Sequence, residues 1–172
     1  HLNRVSNTLT MDQADYIFFA EDPDDLAGYS ISTGDINGDG FDDILVGAER
    51  YDYGNFGNDH GKVYLILGSS LDASVNYLSE ADFTFVGQSE KNLGQNVSFA
   101  GDVNNDGYDD ILLSTGSLLG ASDSIYGKVY LIYGSQTGPA TTNLTQANHV
   151  FLNTTHNSTR LNLSAVGDVD GD

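Results

Sequence analysis

The sequence predicts an all-β fold, an incomplete β-propeller built from four-stranded antiparallel blades, with two full blades plus flanking strands. Three observations carry that prediction. A pattern of about 67 residues recurs along the chain, each period holds four short runs rich in β-branched and aromatic residues, and no segment sustains a helical period.

The repeat is clearest where Gly34-Asp35-Ile36-Asn37-Gly38-Asp39-Gly40-Phe41-Asp42-Asp43-Ile44-Leu45 returns as Gly101-Asp102-Val103-Asn104-Asn105-Asp106-Gly107-Tyr108-Asp109-Asp110-Ile111-Leu112, 67 residues later. A third copy begins at Gly167-Asp168-Val169-Asp170-Gly171-Asp172. Downstream, Gly61-Lys62-Val63-Tyr64-Leu65-Ile66 matches Gly127-Lys128-Val129-Tyr130-Leu131-Ile132 at a shift of 66, so one residue is lost from the intervening loop. A further element occurs three times, starting at Ala14, Ala81 and Ala147.

In the first full period the strands are expected near 29–34, 43–48, 62–67 and 83–86, separated by Gly, Asp, Asn and Ser. A four-stranded antiparallel unit has two apolar faces and cannot bury both alone, so it stacks on neighbours, and radial stacking gives a propeller. Residues 1–25 are then the last strand of a preceding blade, 26–92 a first blade with its loop at 35–43, and 93–159 a second blade with its loop at 102–110. Residues 160–172 are the first strand and partial loop of a following blade. A closed ring needs at least four blades, so either a longer parent chain or neighbouring copies are expected to complete it.

The composition says what such a fold would meet. Among 172 residues, 25 acidic against 6 basic side chains give a formal net charge of -19, which disfavours nucleic acid and anionic membrane surfaces and favours cations. Eleven of the 25 acids fall in the three recurring loop segments, so the charge is placed rather than spread. There is no cysteine, hence no disulfide or thiolate chemistry, and no apolar run long enough for a membrane span.

In Asp35-x-Asn37-x-Asp39-Gly40-Phe41-x-Asp43, side-chain oxygens recur at alternate positions, a spacing that wraps hard oxygens around one cation. Gly40 permits the sharp turn, Phe41 offers its backbone carbonyl, and Asp43 closes the sphere. The second loop offers Asp102, Asn104, Asp106, the Tyr108 carbonyl and Asp110, and the third Asp168, Asp170 and Asp172. Carboxylates with an amide and a carbonyl, and no His or Cys nearby, favour Ca2+ over zinc, and magnesium would keep more water. An EF-hand would need an acid at position twelve, where Val46 and Leu113 stand inside apolar strand runs.

With those loops joining two strands, the repeat resembles the FG-GAP repeat of integrin alpha subunits and related bacterial surface proteins. The resemblance implies a calcium hairpin between the first two strands of each blade and a propeller, usually seven-bladed. Glu49 after Gly47-Ala48, where that pattern has Pro, and Ser114-Thr115 in the second copy depart from it. Nothing matches the cation site of an integrin inserted domain.

Five Asn residues fit the glycosylation acceptor pattern: Asn96, Asn143, Asn153, Asn157 and Asn162. Tyr51, Tyr53 and Phe56, in a loop between the second and third strands, are candidates for ligand recognition. No catalytic motif, P-loop or dinucleotide fingerprint occurs, and His1, His60, His149 and His156 are scattered. The expected function is an extracellular, calcium-stabilised adhesion or scaffold module with a protein or glycan ligand, not an enzyme. Self-association into an extracellular filament through open blade faces, or a non-catalytic accessory propeller of a secreted hydrolase or lyase, are the alternatives.

Overall fold

A computed structural model describes residues 14–52, 59–71, 76–87, 92–116, 127–154 and 162–164. Among them the regular structure is all β, with short 3-10 turns and no α-helix. β1 is Phe18–Phe19, β2 Ala27–Gly34, β3 Asp43–Ala48, β4 Lys62–Ile66, β5 Asn76–Tyr77 and β6 Phe83–Val86. β7 is Val97–Gly101, β8 Asp110–Ser114, β9 Lys128–Ile132 and β10 His149–Leu152.

Two four-stranded antiparallel sheets form, in the orders β2-β3-β4-β6 and β7-β8-β9-β10, each a simple meander of the kind a propeller blade uses. In the first blade the observed strands follow those expected from the sequence. β2 starts two residues earlier, at Ala27, after Leu26 turns the chain in a left-handed conformation (φ 55°), and β4 ends at Ile66 rather than Leu67. The strand expected before residue 25 is only Phe18–Phe19, and it pairs parallel with β5 at the margin of the first blade.

The period-two alternation of each strand decides which side chains meet. Leu45, Val63, Leu65 and Phe85 of the first sheet face Val97, Phe99, Ile111, Leu113, Tyr130 and Ile132 of the second, in one buried cluster that also takes in Ile36. Each such side chain, fully buried, contributes about 1.5–3 kcal/mol. The opposite face of the first sheet, Val46, Ala48, Tyr64 and Ile66, forms a second cluster with Leu78 and with the half-buried Phe18 and Tyr51.

Polar bonds align the two sheets as well. Ser30 Oγ donates to the Gly94 carbonyl at 2.8 Å, and the Phe99 amide donates to Ser32 Oγ at 3.0 Å. Gly47 makes this approach feasible, because a Cβ there would collide with the Gly94 carbonyl oxygen and Ser30 Oγ.

The change of sequence shift just ahead of the loops has a structural cause. Leu26 and Asn92 share a left-handed backbone, as do Gly28 and Gly94, at a spacing of 66 residues, whereas the loops are 67 apart. The extra residue is Ala100, left unpaired between Phe99, opposite Ile111, and Gly101, opposite Asp110. A one-residue β-bulge thus absorbs an insertion while leaving the faces of β7 in register.

Candidate metal loops and the seam between blades

Residues 35–43 join β2 to β3, and their side chains hold the loop in shape before any ligand is considered. Asp35 Oδ1 accepts from the amides of Gly38 (2.7 Å) and Asp39 (3.1 Å), and its Oδ2 accepts from Gly40 (2.9 Å). Asn37 Oδ1 accepts from the Asp39 amide at 3.1 Å, and Asp39 Oδ1 from the Phe41 amide at 2.9 Å. Asp43, fully buried, accepts from Ile36 N–H at 2.9 Å and from Gly68 N–H at 2.8 Å.

The second loop repeats this arrangement. Asp102 accepts from the amides of Asp106 (2.9 Å) and Gly107 (2.7 Å), Asn104 from Asp106 (3.1 Å), and Asp106 from Tyr108 (3.1 Å). Asp110 accepts from Val103 and Gly134, both at 2.9 Å. Gly40 and Gly107 take φ of +86° and +92°, a conformation that a side chain would strain, which accounts for glycine at the sixth position of both loops.

Burial raises the pKa of Asp43, partly offset by the Gly68 and Ile36 amides, and the charges of Asp39 and Asp35 raise it further. Asp110 is raised in the same way by burial, then by Asp106 and Asp102. Asp39 is lowered, chiefly by the Phe41 amide and then by Ser69 and Asn37. In each loop the charges of two acids thus act on one anchored, buried carboxylate.

Among the described residues no group of three or more His, Cys, Asp or Glu side chains is already gathered closely enough to hold a metal ion. The donor set nevertheless fits a hard cation. Besides three carboxylates, each loop contributes the Asn37 or Asn104 amide oxygen and the Phe41 or Tyr108 carbonyl, and a carboxylate oxygen that accepts one N–H keeps a second lone pair.

The two loops also touch each other's blades. The Asp35 amide donates to Asp109 Oδ2 at 3.0 Å, while the Asp109 amide donates to the Asp35 carbonyl at 3.0 Å. The Ser135 amide donates to the Ile36 carbonyl at 3.2 Å, and Gly134 lies so close to that carbonyl and to Asp109 that a Cβ would collide with both. Neither Asp109 nor Ser135 is among the site residues read from the sequence. The available signal was that Asp42 and Asp109 recur at the eighth loop position without being needed as ligands.

Residues 27–66, which hold β2, the first loop, β3 and β4, match the FG-GAP repeat family. The chain carries an FG-GAP repeat. It is 32% identical to integrin alpha-6 of Gallus gallus over 64% of this chain and 9% of that protein. It is 35% identical to integrin alpha-PS2 of Drosophila melanogaster over 65% of this chain and 8% of that one. With integrin alpha pat-2 of Caenorhabditis elegans it shares 42% identity over 52% of this chain and 6% of the relative. The matched stretch is thus about a tenth or less of these relatives' length.

Where the chain departs from the FG-GAP pattern, polar contacts fill the turn after the second strand. Glu49 is buried, its carbonyl accepts from Asn92 Nδ2 at 3.1 Å, and its carboxylate accepts from Gln95 Nε2 at 3.4 Å. In the second repeat Thr115 is buried, and its hydroxyl accepts from the Lys128 amide at 2.9 Å.

The other described residues singled out from the sequence are scattered. Tyr51 is half-buried against the second cluster, with Lys62 Nζ 4.5 Å from its ring centre, so packing already accounts for it. Asn143 is exposed, and its Oδ1 accepts from the Thr145 amide (3.1 Å) and hydroxyl (2.9 Å), capping the turn Leu144–Gln146. Asn96 is half-buried and reaches the exposed Asn162 at 3.5 Å, and Asn153 is half-buried. Tyr53, Phe56, Asn157, Asp168, Asp170 and Asp172 lie outside the described residues.

Proposed function

We propose that this chain is a calcium-stabilised FG-GAP repeat module of an extracellular adhesion or scaffold protein, with residues 26–92 and 93–159 as two blades and 160–172 opening a third. The observation that carries it is the pair of loops presenting the same five oxygen donors in the same hydrogen-bonded frame. Ca2+ would be held by Asp35, Asn37, Asp39, the Phe41 carbonyl and Asp43, and by Asp102, Asn104, Asp106, the Tyr108 carbonyl and Asp110. The bound ion would offset the repulsion among the carboxylates of each loop and so stabilise the hairpin between two blade strands.

The likeness to integrin alpha chains supports a place at the cell surface or outside it, a protein or glycan ligand, and no catalysis. Glycosylation at the exposed Asn143 and Asn162, and at Asn96, Asn153 and Asn157, belongs to the same reading. Among the described residues no helix is long and apolar enough to cross a membrane.

Thermal unfolding with and without calcium tests the proposal. With Kd on the order of 0.1–1 mM, tenfold saturation adds about 1.4 kcal/mol per site. Two sites then raise Tm by roughly 5–10 °C over the chelated protein. Identical melting in calcium and in chelator rejects a structural ion.

A second reading, assembly of copies into a filament, is favoured by one observation. Phe151 on the outer strand of the second blade is 56% exposed, where its equivalent Phe85 in the first blade is fully buried. Sedimentation decides between them: polymers that grow with concentration support the filament, and a discrete species at all concentrations rejects it.

A further inference from the structure

The seam between the blades grips the backbone of one residue of the first loop at both of its polar groups. Asp35 donates its N–H to the carboxylate of Asp109 and accepts at its carbonyl from the amide of Asp109, each at 3.0 Å. The next carbonyl, that of Ile36, is taken by the amide of Ser135 at 3.2 Å. Asp35 is also the side chain around which the loop is wound, since its two oxygens accept three loop amides. The orientation of the loop's first oxygen donor is therefore set by a residue 74 positions away in the following blade.

We propose that Asp109, at the non-ligating eighth position of the second loop, is a positioning residue for divalent-cation binding in the first loop, so that cation affinity and blade docking are coupled. The inference rests on the calcium reading above. Outer-sphere groups that fix a ligand commonly alter metal affinity by 10–100-fold. A single carboxylate holding the peptide unit of a first ligand is such a group. The coupling is reciprocal, so a cation in the first loop tightens the hold of the second blade on the first.

The repeat supplies an internal control. Asp42 stands at the same eighth position in the first loop, is exposed, and lies in the loop that Asp109 holds rather than in the blade that does the holding.

The test is a calcium titration of the isotope-labelled 172-residue chain, followed through the amide signals of Gly40 and Gly107, which report the two loops separately. Asp109→Ala is expected to weaken binding at Gly40 by about tenfold and at Gly107 by less than about threefold. Asp42→Ala is expected to change binding at Gly40 by less than about threefold. Equal losses at the two glycines after Asp109→Ala, or a loss at Gly107 alone, overturn the proposal. Should alanine unfold the chain, Asp109→Glu keeps the charge and moves the carboxylate by one methylene, and a selective loss at Gly40 is again required. A wild-type chain with no calcium response at either glycine rejects the calcium reading itself, an outcome distinct from two loops that bind and respond alike.

Discussion

Ile36 is fully buried and Val103, its counterpart in the next repeat, is 52% exposed, although each is the second residue of a nearly identical loop and donates its amide to the closing aspartate. A second such contrast lies on the fourth strands. Phe85 and Phe151 occupy one register position, opposite Val63 and Val129, yet Phe85 is fully buried and Phe151 is 56% exposed. The first blade's face is covered by the second blade, whereas on the second blade's equivalent face Val129 and Leu131 are buried and Phe151 is not. Two repeats with one sequence pattern thus separate what a blade does alone from what its neighbour adds. The internal frame of the loop is common to both, and the burial of Ile36 and Phe85 is not.

The sharpest way to break this comparison is to truncate the paired aromatics. Phe85→Ala is expected to destabilise by about 3–5 kcal/mol, as for a fully buried Phe. Phe151→Ala should cost less than about 1 kcal/mol, because over half of that side chain already meets water. Urea unfolding of both variants measures the difference. Equal losses would mean that Phe151 is covered by protein and that the two blades are energetically alike.

A smaller effect is expected where the blades should agree. Asp43→Ala strands the amides of Ile36 and Gly68, and Asp110→Ala those of Val103 and Gly134. In each pair one bond is buried and the other half-buried, so both substitutions should cost about 2–3 kcal/mol when measured in excess chelator. A loss confined to one of them would show that the neighbouring blade, not the loop's own frame, holds the closing aspartate.

Much of this organisation was legible in the sequence, because strand alternation, turn glycines and alternate acids are short-range patterns. The runs at 43–48 and 83–86 became β3 and β6 with the expected limits. The bulge at Ala100 was not legible, since an inserted residue in a strand looks like a change of spacing and gives no clue to which residue is left unpaired. Leu26 in a left-handed conformation carried no signal either, having neither glycine's freedom nor asparagine's local bonding. The seam was the least visible part. Its bonds join residues 64 to 99 positions apart and mostly use backbone groups, which every residue has, so only the recurrence of Asp42 and Asp109 hinted that a carboxylate beyond the ligand set had work elsewhere.

The smallest expected effect isolates the seam from the loops. Ser32 and Ser98 are equivalent residues, opposite Leu45 and Leu112, but their hydroxyls do different things. Ser32 Oγ accepts the Phe99 amide from the following blade, whereas Ser98 Oγ donates to the carbonyl of its own neighbour Phe99 at 2.8 Å. Ser32→Ala should therefore leave a half-buried amide unpaired at a cost of about 1 kcal/mol, and Ser98→Ala, which removes only a local bond, less than about 0.5 kcal/mol. Chemical denaturation of the two variants compares them, and hydrogen exchange at Phe99 identifies the cause. Faster exchange in Ser32→Ala alone assigns the loss to the seam. An equal cost from Ser98→Ala would mean that packing of the serine, not the bond across the blades, sets the stability at this position.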